Sequence, residues 1–354
     1  MKELLNNFEN IISLLPKGYI EKAYELGAIS RPRNICKVDD LLKLILLYQT
    51  VGKSFGITAA MCQFSFGFKM TKAGVFKRIS KSGAWLSWLC ENICRNAGLI
   101  VDKPAWLSEH RVCLVDATKV SLKGSHQADW GLHYLVDLFS LDTIEMHLKG
   151  YKNGETLKNF NKIEKRDIIV GDRIYGYPVS MNYAMDRGAD FCFRLRSNAF
   201  NLYNNDYELF NLEDKISSML EWSYMDLCLY YKSSGVFYPI RLCVYRKTKE
   251  ESSKSLTRIK KSNSKKMRGK VSEQQEFYSN FIVIGTSLKA DCKNILDLYR
   301  MRWEVESLFK RLKSIFDYDE IPTKNESSSR SWLNGKLLLF AICEALVNRG
   351  RFSP

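Results

Sequence analysis

RVCLVDAT, residues 111–118, opens the run of short apolar segments that decides the fold of this chain; GLHYLVDLF (131–139), TIEMHLKG (143–150), IIVGD (168–172) and DFCFRLR (190–196) follow it between Gly, Ser and Asp turns. Short apolar or alternating runs bounded by such turns predict strands, and the first three, in direct succession, predict an antiparallel meander. IIVGD carries uninterrupted apolar residues, as expected of a central strand buried on both faces. A polar stretch around Lys158–Lys165 predicts a helix before it, and YPVSMNYAMDRG (177–188) predicts a second helix after it. The order strand, strand, strand, helix, strand, helix, strand predicts an α/β domain with a mixed sheet flanked by helices.

That order resembles the ribonuclease H-like fold, which places the first part of such a domain at residues 106–200. Working outward, residues 1–105 predict a helical N-terminal region, because apolar residues return every three or four positions in Leu41, Leu42, Leu44, Ile45 and Leu46 and again in Trp85, Leu86, Leu89 and Ile93. KMTKAGVFKRISK (69–81) interleaves cations with Val75 and Phe76, a pattern shared by a phosphate-contacting helix and an ordinary solvated face. Residues 201–277 carry MDLCLYY (225–231) and YPIRLCVYR (238–246) and predict an inserted β-subdomain. Within it, the Ser-rich basic tract Lys254–Lys270 has almost no apolar residues and predicts a mobile basic loop. Residues 278–354 resume the core as its second part, with FIVIGTS (281–287), a long helix over Cys292–Ser314 and a final helix over Trp332–Val347.

The chain of 354 residues carries a net charge of +15, an excess of Lys and Arg that favours polyanions and makes nucleic acid the first partner to consider. Its ten cysteines lie mostly in apolar runs, as reduced core residues do; Cys90 and Cys94 are four apart, but no second Cys or His pair completes a zinc site. No apolar run reaches the roughly 18 residues needed to span a bilayer, and a cytoplasmic location without a membrane partner is expected.

The chemistry concentrates in LDLYRMRWEVESLFKRLKS (296–314), where Tyr299, Arg302, Glu306 and Lys313 fall at offsets of three, seven and fourteen. At about 100° per residue these four lie within an arc of roughly 60° on a helix. Leu298, Val305, Leu308, Phe309 and Leu312 form the neighbouring apolar stripe. A solvated charged stripe would show the same periodicity. Two aspartates shift the balance, since Asp116 closes RVCLVD and Asp172 closes IIVGD, and a carboxylate at the end of a buried strand is costly unless paired or metal-bound. Adjacent central strands would bring Asp116 and Asp172 together, and a helix packed on the sheet could deliver Glu306. Three carboxylates without His or Cys form a hard oxygen cluster suited to Mg²⁺.

Tyr299, Arg302, Glu306 and Lys313, with Asp116-Ala117-Thr118 at the first acid and Gly171-Asp172-Arg173-Ile174-Tyr175 at the second, resemble the signature of a group of bacterial insertion-sequence transposases of the DDE class, named for its Tyr-Arg-Glu-Lys order. A β-strand insertion between the second acid and the Glu belongs to the same resemblance, which runs from about Leu41 onward. It implies a DNA transposase that cuts the terminal inverted repeats of a mobile element and joins them to target DNA, with a hairpin as a further expected intermediate. It also implies two Mg²⁺ ions, replaceable by Mn²⁺, on Asp116, Asp172 and Glu306. Tyr299, Arg302 and Lys313 are implied to grip terminal phosphates, and Trp303 is a candidate for stacking on an unpaired base or for core packing. A homodimer on paired ends and association with the bacterial nucleoid are expected.

The chain departs from the group in stopping at Pro354, earlier than many members that carry a further end-pairing segment; this leaves room for a truncated copy that keeps the triad. Rival readings are a ribonuclease H-like nuclease that only hydrolyses, and a captured, non-catalytic DNA-binding transposase. The Tyr, Arg and Lys beside Glu306 argue against the first, and the intact acids against the second.

Overall fold

A computed structural model describes residues 8–30, 37–50, 54–96, 102–120, 130–140, 143–150, 154–196, 200–265, 269–303 and 325–351. In chain order these form α1 (Phe8–Ile12), α2 (Tyr19–Glu25), α3 (Val38–Thr50), α4 (Phe55–Phe66), α5 (Lys72–Lys81), α6 (Gly83–Asn96), β1 (Val112–Val120), β2 (Trp130–Asp137) and β3 (Thr143–Gly150). There follow β4 (Ile168–Gly171), α7 (Pro178–Met185), β5 (Asp190–Arg194), β6 (Leu202–Tyr203), β7 (Leu209–Phe210), α8 (Leu212–Ser217), β8 (Tyr224–Ser233) and β9 (Val236–Arg246). The described residues end with α9 (Lys249–Lys265), α10 (Glu273–Ser279), β10 (Phe281–Thr286), the helical residues 292–303, here α11, and α12 (Glu326–Arg351). The chain divides into two compact units, Met1–Lys103 with Ala117–Asn153 and Ser307–Pro354, and Pro104–Asp116 with Gly154–Glu306.

In the first unit the predicted helical region forms, and α12 packs on α3, α5 and α6. The predicted final helix is longer than its apolar pattern, starting at Glu326. Buried polar contacts fix it: Lys336 Nζ donates to the carbonyl of Gln49 at 2.8 Å, and Asn334 Nδ2 to that of Gly83 at 3.1 Å. Gly335 lies so close to the Gln49 side chain that a β-carbon would overlap it. On α5, Val75 and Ile79 are buried while Lys72, Lys77 and Lys81 are exposed, so this basic helix both packs and presents charge. In the same unit β2 and β3 pair as an antiparallel hairpin. No described helix is long and apolar enough to cross a membrane.

The second unit is mixed α/β. Its strands lie in the order β1-β4-β5-β10-β9-β8-β6-β7, with β1, β4 and β5 parallel and the remaining pairs antiparallel. As its apolar run predicts, β4 is buried throughout. Arg111 clamps the amino ends of β1 and β4, donating from Nε and Nη2 to the two oxygens of buried Asp167 at 2.9 and 2.7 Å.

Two expectations are corrected. The polar stretch at Lys158–Lys165 forms only a 3-10 turn at Leu157–Asn159, since Leu157, Phe160 and Ile163 turn inward as separate anchors and offer no helical stripe. Of the strands in the segment 201–277, expected as an inserted β-subdomain, β9 pairs with β10 and so extends the sheet of the core. The expected mobile loop from Lys254 is mostly helix α9: the backbone N–H of Glu251 donates to Thr248 Oγ1 and that of Thr248 to Glu251 Oε2, both at 3.0 Å, a reciprocal cap that satisfies two orphan donors of the first turn.

Candidate active site at the carboxyl ends of the parallel strands

The last paired row across the parallel strands is Val115, Gly171 and Phe193. The next residue on each strand is therefore Asp116, Asp172 and Arg194, side by side at the carboxyl ends, where ligands of open α/β sheets gather. Gly171 makes this row compact. A β-carbon there would lie 3.0 Å from Val115, 3.1 Å from Phe193 and 3.1 Å from Tyr175, close enough that these neighbours would have to shift by a few tenths of an ångström.

Asp172 leaves the strand through a tight turn. Its Oδ1 accepts the N–H of Ile174 at 2.8 Å, and its carbonyl accepts that of Tyr175 at 3.1 Å. This turn buries Tyr175 beneath the two acids. Burial first, and then the charges of Glu155, Asp116 and Asp172, push its phenol well above the ordinary tyrosine range. Its hydroxyl has no hydrogen-bond partner among the described residues.

Basic side chains surround Asp172. Arg173 follows it, and burial together with Arg194 lowers its pKa to about 10, so the guanidinium stays charged at neutral pH. Its buried Nε has no hydrogen-bond partner among the described residues. Burial also lowers the pKa of Arg194, with Arg302 adding to the effect and Tyr299 and Asp172 opposing it. Helix α11 lies on β5, with Cys192 Sγ directed at the carbonyl of Ile295 at 3.9 Å.

Tyr299 and Arg302 are buried on α11, whereas Trp303 is 45% exposed. The Arg302 guanidinium sits 4.9 Å from the Tyr299 ring centre and 5.7 Å from that of Trp303. Burial raises the Tyr299 pKa against the opposing charges of Arg302 and Arg194. Glu306 and Lys313, the other two signature residues, lie outside the described residues. Among the described residues no group of three His, Cys, Asp or Glu side chains gathers at metal-binding spacing. The two acids that are described offer hard oxygen donors only, the donor type that Mg²⁺ takes.

Sequence reasoning missed the basic residues that the insertion brings here. Lys247, just past β9, is buried, and its Nζ donates to Ser255 Oγ at 2.9 Å and to the carbonyl of Ser279 at 2.7 Å. Burial first, then Arg194 and Arg173, lowers its pKa to about 7. Arg258 of α9 stands 5.9 Å from the Trp303 ring centre. With Asp172, Arg173, Arg194, Tyr299, Arg302 and Trp303, these residues line a cavity of about 610 Å³. The Thr248-Lys249-Glu250-Glu251 capping pattern was the available signal for α9.

The family described as Transposase DDE domain matches residues 107–342. The InsL protein for insertion sequence element IS186A of Escherichia coli (strain K12) is 24% identical over 341 residues, covering 94% of this chain and 91% of its own. The transposase for insertion sequence element IS421 of Escherichia coli is 24% identical over 342 residues, with the same coverage of both chains. The transposase for insertion sequence element IS231F of Bacillus thuringiensis subsp. israelensis is 28% identical over 114 residues, 31% of this chain and 24% of its own.

Proposed function

The chain belongs to the family of transposases with a DDE domain, and from that premise we propose that it cleaves the ends of an insertion sequence and joins them to target DNA, using Asp116, Asp172 and Glu306. It is an enzyme that acts on DNA as a transposase. The observation that carries the finer reading is the alignment of Asp116 and Asp172 one residue beyond the Val115–Gly171 pair. The parallel β1–β4–β5 core and the β2–β3 hairpin support a ribonuclease H-like catalytic domain.

In this reading Asp116, Asp172 and Glu306 hold two Mg²⁺ ions, for which Mn²⁺ substitutes. Divalent ions so held supply Lewis-acid polarisation of the phosphodiester and a water of lowered pKa. The protein's own residues do the rest. Arg302 and Lys313 hold phosphates near the cut, the first as a planar fork and the second as a point charge. Tyr299 keeps the Arg302 guanidinium in place, and Trp303, nearly half exposed, offers a face for an unpaired base. Hydrolysis of the P–O bond frees a 3′-hydroxyl, which then attacks a target phosphodiester and expels a 3′-oxygen from it. A homodimer on paired ends follows from the need to join both ends to one target.

The test is to mix the protein and its Glu306→Gln variant with Mg²⁺ and DNA bearing the repeats that flank its gene. Nicked and joined products from the wild type alone are expected. Hydrolysis without joining would replace this reading with a nuclease, and binding without cleavage by either protein would replace it with a non-catalytic DNA-binding protein.

A further inference from the structure

The 610 Å³ cavity beside Asp172 is lined by six cationic side chains and two carboxylates, Asp172 and Glu251. Such an excess of like charge in a partly buried space is self-repelling, and an anion relieves it. Lys247 shows that repulsion, its charge disfavoured by burial and by the neighbouring guanidinia. A second observation points the same way: the buried Nε of Arg173, a residue that lines the cavity, donates to nothing among the described residues. Two of the cations, Lys254 and Arg258, come from α9, which is held over this region by the Thr248–Glu251 cap and by Lys247 bonding to Ser255.

We propose that this cavity is a phosphate site built by the inserted segment, in which Arg173 and Arg194 of the core and Lys254 and Arg258 of α9 hold a phosphodiester group of the DNA strand being cut. The site shares its cavity with Tyr299, Arg302 and Trp303 of α11, adds cations that are not signature residues, and rests on the transposase reading for the identity of its ligand. Guanidinium groups suit it because each can present two parallel donors to a phosphate. Arg173 directly follows Asp172, so the held phosphate lies next to the catalytic carboxylate, and α9 would set how the strand leaves the site.

The experiment uses the full chain carrying Asp116→Asn, so that binding is read without cleavage. Pyrophosphate and a short single-stranded oligonucleotide are the two probes. Pyrophosphate is expected to raise the melting temperature, and Lys254→Gln with Arg258→Gln to remove that rise. Both substitutions alter exposed positions of α9, where Lys254 Nζ donates to Glu250 Oε1 at 2.6 Å on the helix surface, and are expected to leave the fold intact. For the oligonucleotide, the double variant is expected to weaken binding roughly tenfold and to flatten the dependence of log affinity on log salt by about 0.7 for each phosphate that the protein no longer neutralises. Lys260→Gln with Lys261→Gln removes the same charge from α9 outside the cavity and is expected to leave the pyrophosphate effect in place. An equal loss in both double variants would reduce the effect to general charge and overturn the site. Pyrophosphate protection with an unchanged oligonucleotide salt slope would assign the cavity to a free phosphate and overturn the strand-binding role. Cleavage of element ends by an otherwise wild-type chain with unaltered binding in Lys254→Gln/Arg258→Gln removes this inference alone. Cavity-dependent binding in a protein that never cleaves removes the transposase reading alone.

Discussion

Asp116 and Asp172 occupy the same level on neighbouring parallel strands, each one residue beyond the paired Val115 and Gly171. Backbone pairing thus holds both carboxylates at one place before any ligand arrives. If they hold the metal ions, Asp116→Asn and Asp172→Asn each reduce cleavage of element ends below detection while DNA affinity stays within about twofold, because binding to the backbone is set by the cations. Arg302→Ala shows the opposite pattern, weakening end complexes in a gel-shift assay. Cleavage persisting in either Asp variant would remove the metal assignment.

A side chain at Gly171 would crowd Val115, Phe193 and Tyr175. Gly171→Ala is expected to cost about 1–3 kcal/mol, the usual range for overpacking a core, and to lower cleavage further than stability alone explains, because it displaces Asp172. Denaturant unfolding and cleavage rates on the same preparation separate the two effects. Wild-type stability in the variant would show that the strands yield.

At the opposite ends of the same strands, buried Asp167 depends on Arg111. Arg111→Met leaves that carboxylate buried without its charge partner and is expected to cost about 3–5 kcal/mol; replacing both residues by apolar ones recovers most of the loss. A double-mutant cycle in urea measures the coupling. A coupling near zero would mean that the pair is not what fixes the β1–β4 register.

Lys247 gives stability a specific pH dependence. Its folded pKa is near 7, against 10.5 for an ordinary lysine. Between these values the unfolded chain binds more protons, so stability rises with pH through that window; the contribution is full above the unfolded value and is lost as pH falls toward 7. Arg194, Arg173, Arg258 and Glu251 face the group. Lys247→Met is therefore expected to flatten the melting temperature between pH 7 and roughly pH 9, below the value of about 10 to which the pKa of Arg173 is lowered. An identical slope in the variant would mean that other groups carry it.

Much of this was legible beforehand. Uninterrupted or alternating apolar runs mark buried strands, and an Asp closing such a run marks a carboxylate at the strand's end; that is why Asp116 and Asp172 stood out. Helix periodicity likewise put Tyr299 and Arg302 on one face of α11, and the turn-rich meander made β2 and β3 visible. Local composition misled in two places. The Lys158–Lys165 stretch has helix-forming residues, but its anchors Leu157, Phe160 and Ile163 are buried separately, and α9 looks unstructured because its stability comes from a cap and from packing on α10 rather than from an apolar stripe.

The sequence by itself determined the longer strands, where the acids end two of them and that cations are in excess, because each of these is written in neighbouring residues; the two-residue strands β6 and β7 carry no such pattern. Only the tertiary structure decided that Arg194, Lys247 and Arg258 meet beside Asp172. Those residues belong to a core strand, the end of an inserted strand and an inserted helix, and they meet because β10 pairs with β5 on one side and β9 on the other. Pairing between segments far apart in the chain leaves no local pattern, so the basic pocket had no signature to read.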